Sequence, residues 1–553
     1  MSNRLLRRML TGALMLALLL LPLGSVAAAP RPTVDLQFLN VSDWHAQLDP
    51  QPIAGVGNVG GAAVLSAYFQ ADRAAKPNTL TLTAGDAYGA APPLSGFFSE
   101  EPAVLAMRLM GFNVDTFGNH NFDRGIAHLQ DMIDLAGTPA GGAQPGDPFV
   151  YVSANLKNVE GNLTGVAPFA IFDIGGVKVG VIGITNPEAP TLVFPGNFGT
   201  IEVTDPIPAA NKAKAAAKQA GAKILVAITH LGVTSIDAVT GTASGPLIDF
   251  ANNVGGFDII FGDHTDVQYS GIHNNALVVE NKSKGVTYAR TTLTVDPQNG
   301  HVTARSVTFV TPLASAVTPD PAIEAMLAPY RALLAAAFDT PIGVATGLFP
   351  RGGNIERLQE VAIGNLITDA MRWRYGTQLG FTNGGGIRAP LPSSYLPVNT
   401  SLRRTTPGYA PGPPFDLVVG DVFTVLPFGN SVVTRNVTGA QLYAALEHSV
   451  ALIPAANGRF GQISGFRFTY DSTQPAGSRI VSVELSDGTP ILPDGTLYSF
   501  ATSDFVNVGG DGYTMLADGQ GVTREIMADV VQAYIEFLGT ITPTIEGRIT
   551  KVP

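Results

Sequence analysis

Gly118-Asn119-His120-Asn121-Phe122-Asp123 sets an amide, an imidazole and a carboxylate within five consecutive positions, beside a glycine. Asn119 offers a neutral oxygen to a metal, and His120 a nitrogen that titrates near neutrality. Asp123 offers a carboxylate able to hold that imidazole in one orientation. The competing reading is a plain helix start, with Asn119 as the cap and Asp123 favoured by the helix dipole. What decides between the two lies elsewhere in the chain.

Residues 114–117 read as a short apolar strand that leads into this motif, and four other predicted strands end in a similar way. Residues 34–41 alternate apolar and polar and run into Ser42-Asp43-Trp44-His45. Residues 80–83 stop at Ala84-Gly85-Asp86, residues 223–229 deliver His230, and residues 257–261 deliver Gly262-Asp263-His264-Thr265-Asp266. Four of the eight histidines therefore stand at strand ends. In layered α/β folds sites gather outside the carboxyl ends of strands, so this repetition favours a site over a helix cap. His128, His273, His301 and His448 do not fit the pattern and read as surface or satisfied core groups. Gly55-Val56-Gly57-Asn58-Val59-Gly60-Gly61 matches a dinucleotide fingerprint only formally, because Asp43 and His45 intervene between strand and glycines; it reads as a turn before a helix over 62–73. Further helices are expected over 100–110, 209–220, 320–337 and 356–375.

The composition narrows what such a site can be. With 553 residues, 45% hydrophobic and 14% charged, the chain is long enough for more than one domain and able to bury real cores. A net charge of −11 repels nucleic acid polymers, so any phosphate site must be locally built. Residues 1–29 have a basic start, an apolar run and a small-residue end, which reads as a secretory signal peptide, with a signal anchor as the alternative. Cleavage there would remove Arg4, Arg7 and Arg8 and no acid, taking the charge from −11 to −14. No later segment looks membrane-spanning. The absence of cysteine excludes disulfides, thiolate ligands and a cysteine nucleophile.

Asp43, His45, Asp86, Asn119, His230, His264 and Asp266 are thus nitrogen and oxygen donors suited to two divalent ions, Mn²⁺, Zn²⁺, Mg²⁺ or Fe²⁺. Two ions about 3.5–4 Å apart can clamp the attacking and leaving oxygens of a phosphoryl transfer. One carboxylate must then be shared, and Asp86 is the candidate. His120 is left over to stabilise the transferring group or protonate the leaving oxygen, with Asp123 orienting it.

Here the chain resembles a family. Asp43-Trp44-His45, Gly85-Asp86, the 118–123 motif, Thr229-His230 and Gly262-Asp263-His264-Thr265-Asp266 look like the five blocks of the calcineurin-like metallophosphoesterases, in particular the secreted 5′-nucleotidases. The resemblance implies an α/β fold with a four-layer αββα domain. It also implies one metal held by Asp43, His45, Asp86 and Asp266 and a second by Asp86, Asn119, His230 and His264. His120 and Asp123 take the catalytic positions. Ala46 and Asn121 replace a common glycine and glutamate, and Asp266 stands where histidine or glutamine is usual. Its harder, charged oxygen predicts a preference for Mn²⁺ or Mg²⁺.

The second half has a different character. A junction near residue 317 and a linker helix over 318–340 divide an expected catalytic domain (30–317) from a nucleotide-binding domain (341–553). Asn383-Gly384-Gly385-Gly386-Ile387-Arg388 lets backbone approach a ligand while Arg388 can fork onto phosphate or carboxylate. Phe428 and Phe505, each beside glycine and a polar group, can hold a base between their faces. Resemblance to the substrate domain of the 5′-nucleotidases implies that Asp511 accepts the ribose hydroxyls and that Asn383 and Asn430 are polar contacts. By the same matching Arg388 and Arg357 grip phosphate, and Asn365 takes a substrate-binding position that is arginine in some relatives and asparagine in others. Leu366, Trp373 and their neighbours are expected to be core, and residues 389–415, with seven prolines, a loop beside the pocket or a plain surface insertion.

The expected activity is exported, metal-dependent hydrolysis of nucleoside 5′-monophosphates. The same residues leave open a 2′,3′-cyclic-nucleotide phosphodiesterase with 3′-nucleotidase activity, a nucleotide-sugar hydrolase, or a nucleotide-binding surface protein with an inactive centre.

Overall fold

The computed structural model describes residues 33–53, 55–137 and 146–552, so the signal peptide expected over 1–29 lies outside the described residues. Two sheets dominate the first half. In the seven-stranded one, Val34–Val41 lies between Tyr288–Val295, antiparallel to it, and Thr79–Thr83, parallel to it; Val114–Asp115, Val150–Val152 and Val166–Ala167 continue the parallel side. The six-stranded one carries parallel Val177–Ile184, Ile224–Thr229, Ile259–Phe261 and Ala276–Glu280 at its centre.

Period-two alternation explains the layering, because successive side chains of a strand face opposite sides. Leu36 and Phe38 of the first sheet meet Val179, Val181, Val226 and Ile228 of the second in one buried cluster. The intervening Leu225 and Ala227 turn outward, against Ala210, Ala213 and Ala217 of helix Pro206–Gln219 and against Leu247 and Phe250. On the other side Leu39 and Val41 pack against helices Ala62–Ala75 and Glu101–Met110. The result is the expected four-layer αββα arrangement. Phe38, fully buried between the sheets, is worth about 1.5–3 kcal/mol by burial alone.

Helix Pro321–Phe338 begins on Asp320, whose carboxylate accepts the Ala322 N–H at 2.9 Å. Its Ile323, Leu327, Leu334 and Phe338 share a core with Phe69 and Met107 upstream and with Ile342, Val422 and Ile535 downstream. Beyond it, a five-stranded sheet runs in the order Gly461–Ser464, Leu379–Asn383, Leu497–Ser503, Ser431–Thr438, Val522–Ile526. Helices Ala362–Tyr375 and Gly439–Val450 pack against it.

Two local expectations are corrected, and of the two readings of the proline-rich stretch the one that sets it beside the pocket falls. The helix expected from residue 356 starts at Ala362, after a short turn at Ile355–Arg357. Glu360 is taken by tertiary contacts instead, accepting the N–H groups of Glu546 at 2.7 Å and Arg548 at 2.6 Å. Trp373 is 37% exposed, leaning on Tyr534 and Phe537 rather than entering the core. The proline-rich stretch is tied away from the pocket: the Tyr395 hydroxyl donates to Asp339 at 2.7 Å, and buried Arg404 pairs with Asp421 at 2.6 Å.

Candidate active site

The strand ends converge, and at three of them the backbone turns into the left-handed region. Asp43, His45, Asp86, His264 and Asp266 all have positive φ, between 39° and 85°, a region that non-glycine residues enter at a cost. The loops brace one another. The His45 N–H donates to the Asp86 carbonyl at 3.0 Å, and the His264 N–H to the Asp43 carboxylate at 2.8 Å. The loops approach closely at Gly118, where a Cβ would lie 2.2 Å from an Asp86 carboxylate oxygen.

Asp86 is shared by two clusters of close donor atoms, one with His45 and His120, the other with His230 and His264. His230 Nε2 lies 3.0 Å from Asp86 Oδ2 and 3.0 Å from His264 Nδ1. Asn119 Oδ1 is buried without a hydrogen-bond partner, which costs free energy unless something accepts its lone pairs. The His45 Nδ1–H donates to the Gly89 carbonyl at 2.8 Å, leaving Nε2 as the acceptor, which Arg388 Nη2 faces at 3.2 Å. Burial and the neighbouring carboxylates Asp266 and Asp86 push the Asp43 carboxyl up to about 6. Burial and the His230 imidazole push His264 down to about 3. Against burial, the imidazoles of His230, His120 and His45 hold the Asp86 carboxyl well below the usual carboxylate range, and Asp86 pushes His230 up to about 9. Carboxylates and imidazoles crowded in a buried site beside an orphaned amide oxygen fit divalent ions. Asp266 stands apart from these clusters but lines the same small pit with Asp43, His45 and Asp86.

His120 and Asp123 are paired, with Nδ1 3.0 Å from Oδ2 and 3.1 Å from Oδ1. The turn His120–Phe122 follows Asn119, whose side chain makes no cap bond, so the helix-cap reading fails. The His120 ring also stacks on Phe428, centroids 5.6 Å apart, which joins the two halves of the chain.

A cavity of about 860 Å³ opens over this cluster, lined by His120, Asp123 and His264 together with Arg357, Asn383, Arg388, Phe428, Asn430, Phe505 and Asp511. Arg388 lies over Phe428 and sets Nη2 3.2 Å from His45 Nε2. Asn383 Nδ2 donates to Asp511 Oδ2 at 2.7 Å, and Asn430 Nδ2 to Asp504 at 2.8 Å. Asn365 is not brought in; it is buried elsewhere, donating to Glu360 at 2.8 Å. No residue between 389 and 415 lines the cavity or the pit.

Several residues that the sequence reading passed over do arrive. Lys284, half-buried, lines the pit and donates to the Arg388 carbonyl at 2.8 Å, and Arg351 reaches the same pit. Asp263 Oδ1 accepts the His264 N–H at 3.0 Å. Lys284 follows the strand Ala276–Glu280, so the strand-end pattern itself could have flagged it.

A family model described as the C-terminal domain of 5′-nucleotidases matches residues 341–518. The solved structure of a 5′-nucleotidase precursor from Thermus thermophilus is 29% identical, with a TM-score of 0.80 over 94% of this chain and 99% of that one. The chain is thus similar to the 5′-nucleotidases, in its C-terminal domain and over nearly its whole length. Among curated relatives, Endonuclease YhcR of Bacillus subtilis is 29% identical over 94% of this chain. The chain spans only 41% of YhcR's length. The 5′-nucleotidase of Diplobatis ommata is 27% identical over 98% of this chain and 94% of its own. This similarity and the αββα layer order agree with the resemblance read from the five motifs.

Proposed function

We propose that this protein hydrolyses nucleoside 5′-monophosphates to nucleoside and inorganic phosphate with two divalent ions. The observation that carries the reading is one cavity whose wall holds both the His120–Asp123 pair and the Phe428, Phe505, Asp511 and Arg388 set. Asp43, His45, Asp86 and Asp266 would hold one ion, and Asp86, Asn119, His230 and His264 the other. Such ions supply Lewis-acid stabilisation of phosphoryl charge and a more acidic water.

The chain's own groups do the rest. Phe428 and Phe505 hold the base by stacking, and Asp511, braced by Asn383, accepts the ribose hydroxyls. Arg357 and Arg388 grip the phosphate. His120 stabilises charge on the phosphoryl group and gives the proton on Nε2 to the departing O5′, its Nδ1 side being held by Asp123. The Asp266 carboxylate biases the centre toward Mn²⁺ or Mg²⁺. The leader over 1–29 supports export, and among the described residues no helix is long and apolar enough to cross a membrane.

The test is phosphate release from AMP, UMP, 2′,3′-cyclic AMP, UDP-glucose and p-nitrophenyl phosphate. Highest kcat/KM on the 5′-monophosphates supports the reading. Preference for the cyclic or sugar nucleotide replaces it with a phosphodiesterase or nucleotide-sugar hydrolase. AMP binding without turnover replaces it with a binding protein.

A further inference from the structure

The geometry points to His448 as the positioning residue for ribose recognition, acting on Asp511 through its main chain; this rests on the nucleotidase reading above. Asp511 sits in the turn Gly510–Gly512 with φ 53° and ψ 18°, a left-handed conformation that an aspartate adopts at a cost. Something must hold it there. His448, on helix Gly439–Val450, places Nε2 2.8 Å from the Asp511 carbonyl oxygen. A carbonyl only accepts, so Nε2 carries the proton and the contact fixes the imidazole as a donor.

The surroundings lock the same arrangement from three sides. Gly512 has φ 83°, and a Cβ there would lie 2.9 Å from His448 Cε1 and 3.0 Å from Nε2, so the imidazole occupies the space a side chain would need. Tyr513 meets the His448 ring edge-on at 4.9 Å, and its hydroxyl donates to the Arg459 carbonyl. Asn383 fixes the carboxylate end of Asp511 at 2.7 Å. His448 thus holds the backbone while Asn383 holds the side chain, and the two together aim the carboxylate into the cavity that Asp511 lines. Removing the donor leaves a buried carbonyl unpaired and frees the turn to relax toward an ordinary conformation, which displaces the carboxylate from the hydroxyls it accepts.

The experiment compares AMP with 2′,3′-dideoxy-AMP, which lacks the hydroxyls that Asp511 would read, for wild type, His448→Ala, His448→Asn and His448→Gln. The Gln amide nitrogen reaches about as far as imidazole Nε2, whereas the Asn amide falls short. We expect wild type to favour AMP over the dideoxy analogue at least tenfold in kcat/KM. His448→Ala and His448→Asn should collapse that ratio to within twofold, mainly through KM for AMP, and His448→Gln should restore most of it. Equal losses on both substrates, or an intact ratio in His448→Asn, overturn the assignment and leave His448 a packing residue. Wild type that cleaves AMP without discriminating also overturns it, leaving the nucleotidase reading standing. Wild type silent on AMP removes both. Should the Ala variant fail to fold, the Asn and Gln pair decides alone.

Discussion

The Asn121 side-chain oxygen accepts the main-chain N–H of Asp86 at 3.1 Å, and it also takes the N–H of Gly118 at 2.8 Å. One amide therefore ties together the loop that carries the shared carboxylate and the loop that carries Asn119 and His120. Both N–H groups are buried, and an unpaired buried donor costs about 1–3 kcal/mol. Asn121→Ala should lower metal affinity by about 10–100-fold, as loss of a group supporting a ligand does. Isothermal titration with Mn²⁺ checks this, and affinity unchanged from wild type would show that the loops hold without the amide.

His120 belongs to one donor cluster with His45 and Asp86, so ligand and catalytic roles compete for it. The proposal assigns it to the reaction. His120→Ala should lose about 10²–10⁴ in kcat while binding as much metal as wild type. Asp123→Asn should lose less, because it misorients the imidazole without removing it. Loss of metal from His120→Ala, measured by elemental analysis, would make it a ligand.

Asp266 lies in the pit with Asp43, His45 and Asp86, so exchanging its hard oxygen for a softer nitrogen should shift the metal preference. Stripped Asp266→His resupplied with Zn²⁺ should gain activity relative to Mn²⁺, compared with wild type. An unaltered ratio would remove Asp266 from the metal's surroundings.

Burial pushes the Glu100 carboxyl up to about 7 from its ordinary 4.5, even though the Ser95 hydroxyl donates to it at 2.6 Å. A raised carboxyl binds its proton more tightly in the folded state. Its contribution is fully present below about 4.5 and is lost as pH rises through 7, roughly 3 kcal/mol in all at 1.36 kcal/mol per pH unit. Glu100→Gln should therefore melt higher than wild type at pH 8 and by a much smaller margin at pH 5. Equal margins at both values would mean that Glu100 does not titrate in this range.

What was legible in the sequence is local. A strand alternates, stops, and delivers a polar group, and Asp43, Asp86, His230 and His264 follow directly from that pattern. The apolar run Ile224–Thr229 is buried on both faces, as such a run implies, whereas the four-layer order followed from the family resemblance. What was illegible depends on partners distant in the chain. Asn365 answers to Glu360 and Thr544 rather than to the cavity, and Glu360 leaves the helix for N–H groups at 546 and 548. The proline-rich stretch follows Asp339 and Asp421, and His448 acquires its meaning only from a carbonyl 63 residues later. Spacing along the chain carries no record of these pairings.

The central claim is a two-ion centre at the strand ends that serves AMP hydrolysis. The most direct test titrates Mn²⁺ into metal-stripped protein, counting bound ions while following phosphate release from AMP. The account predicts two ions per chain and activity that rises to its plateau only as the second site fills. Full activity with one ion, or release that persists in the stripped protein, would contradict it.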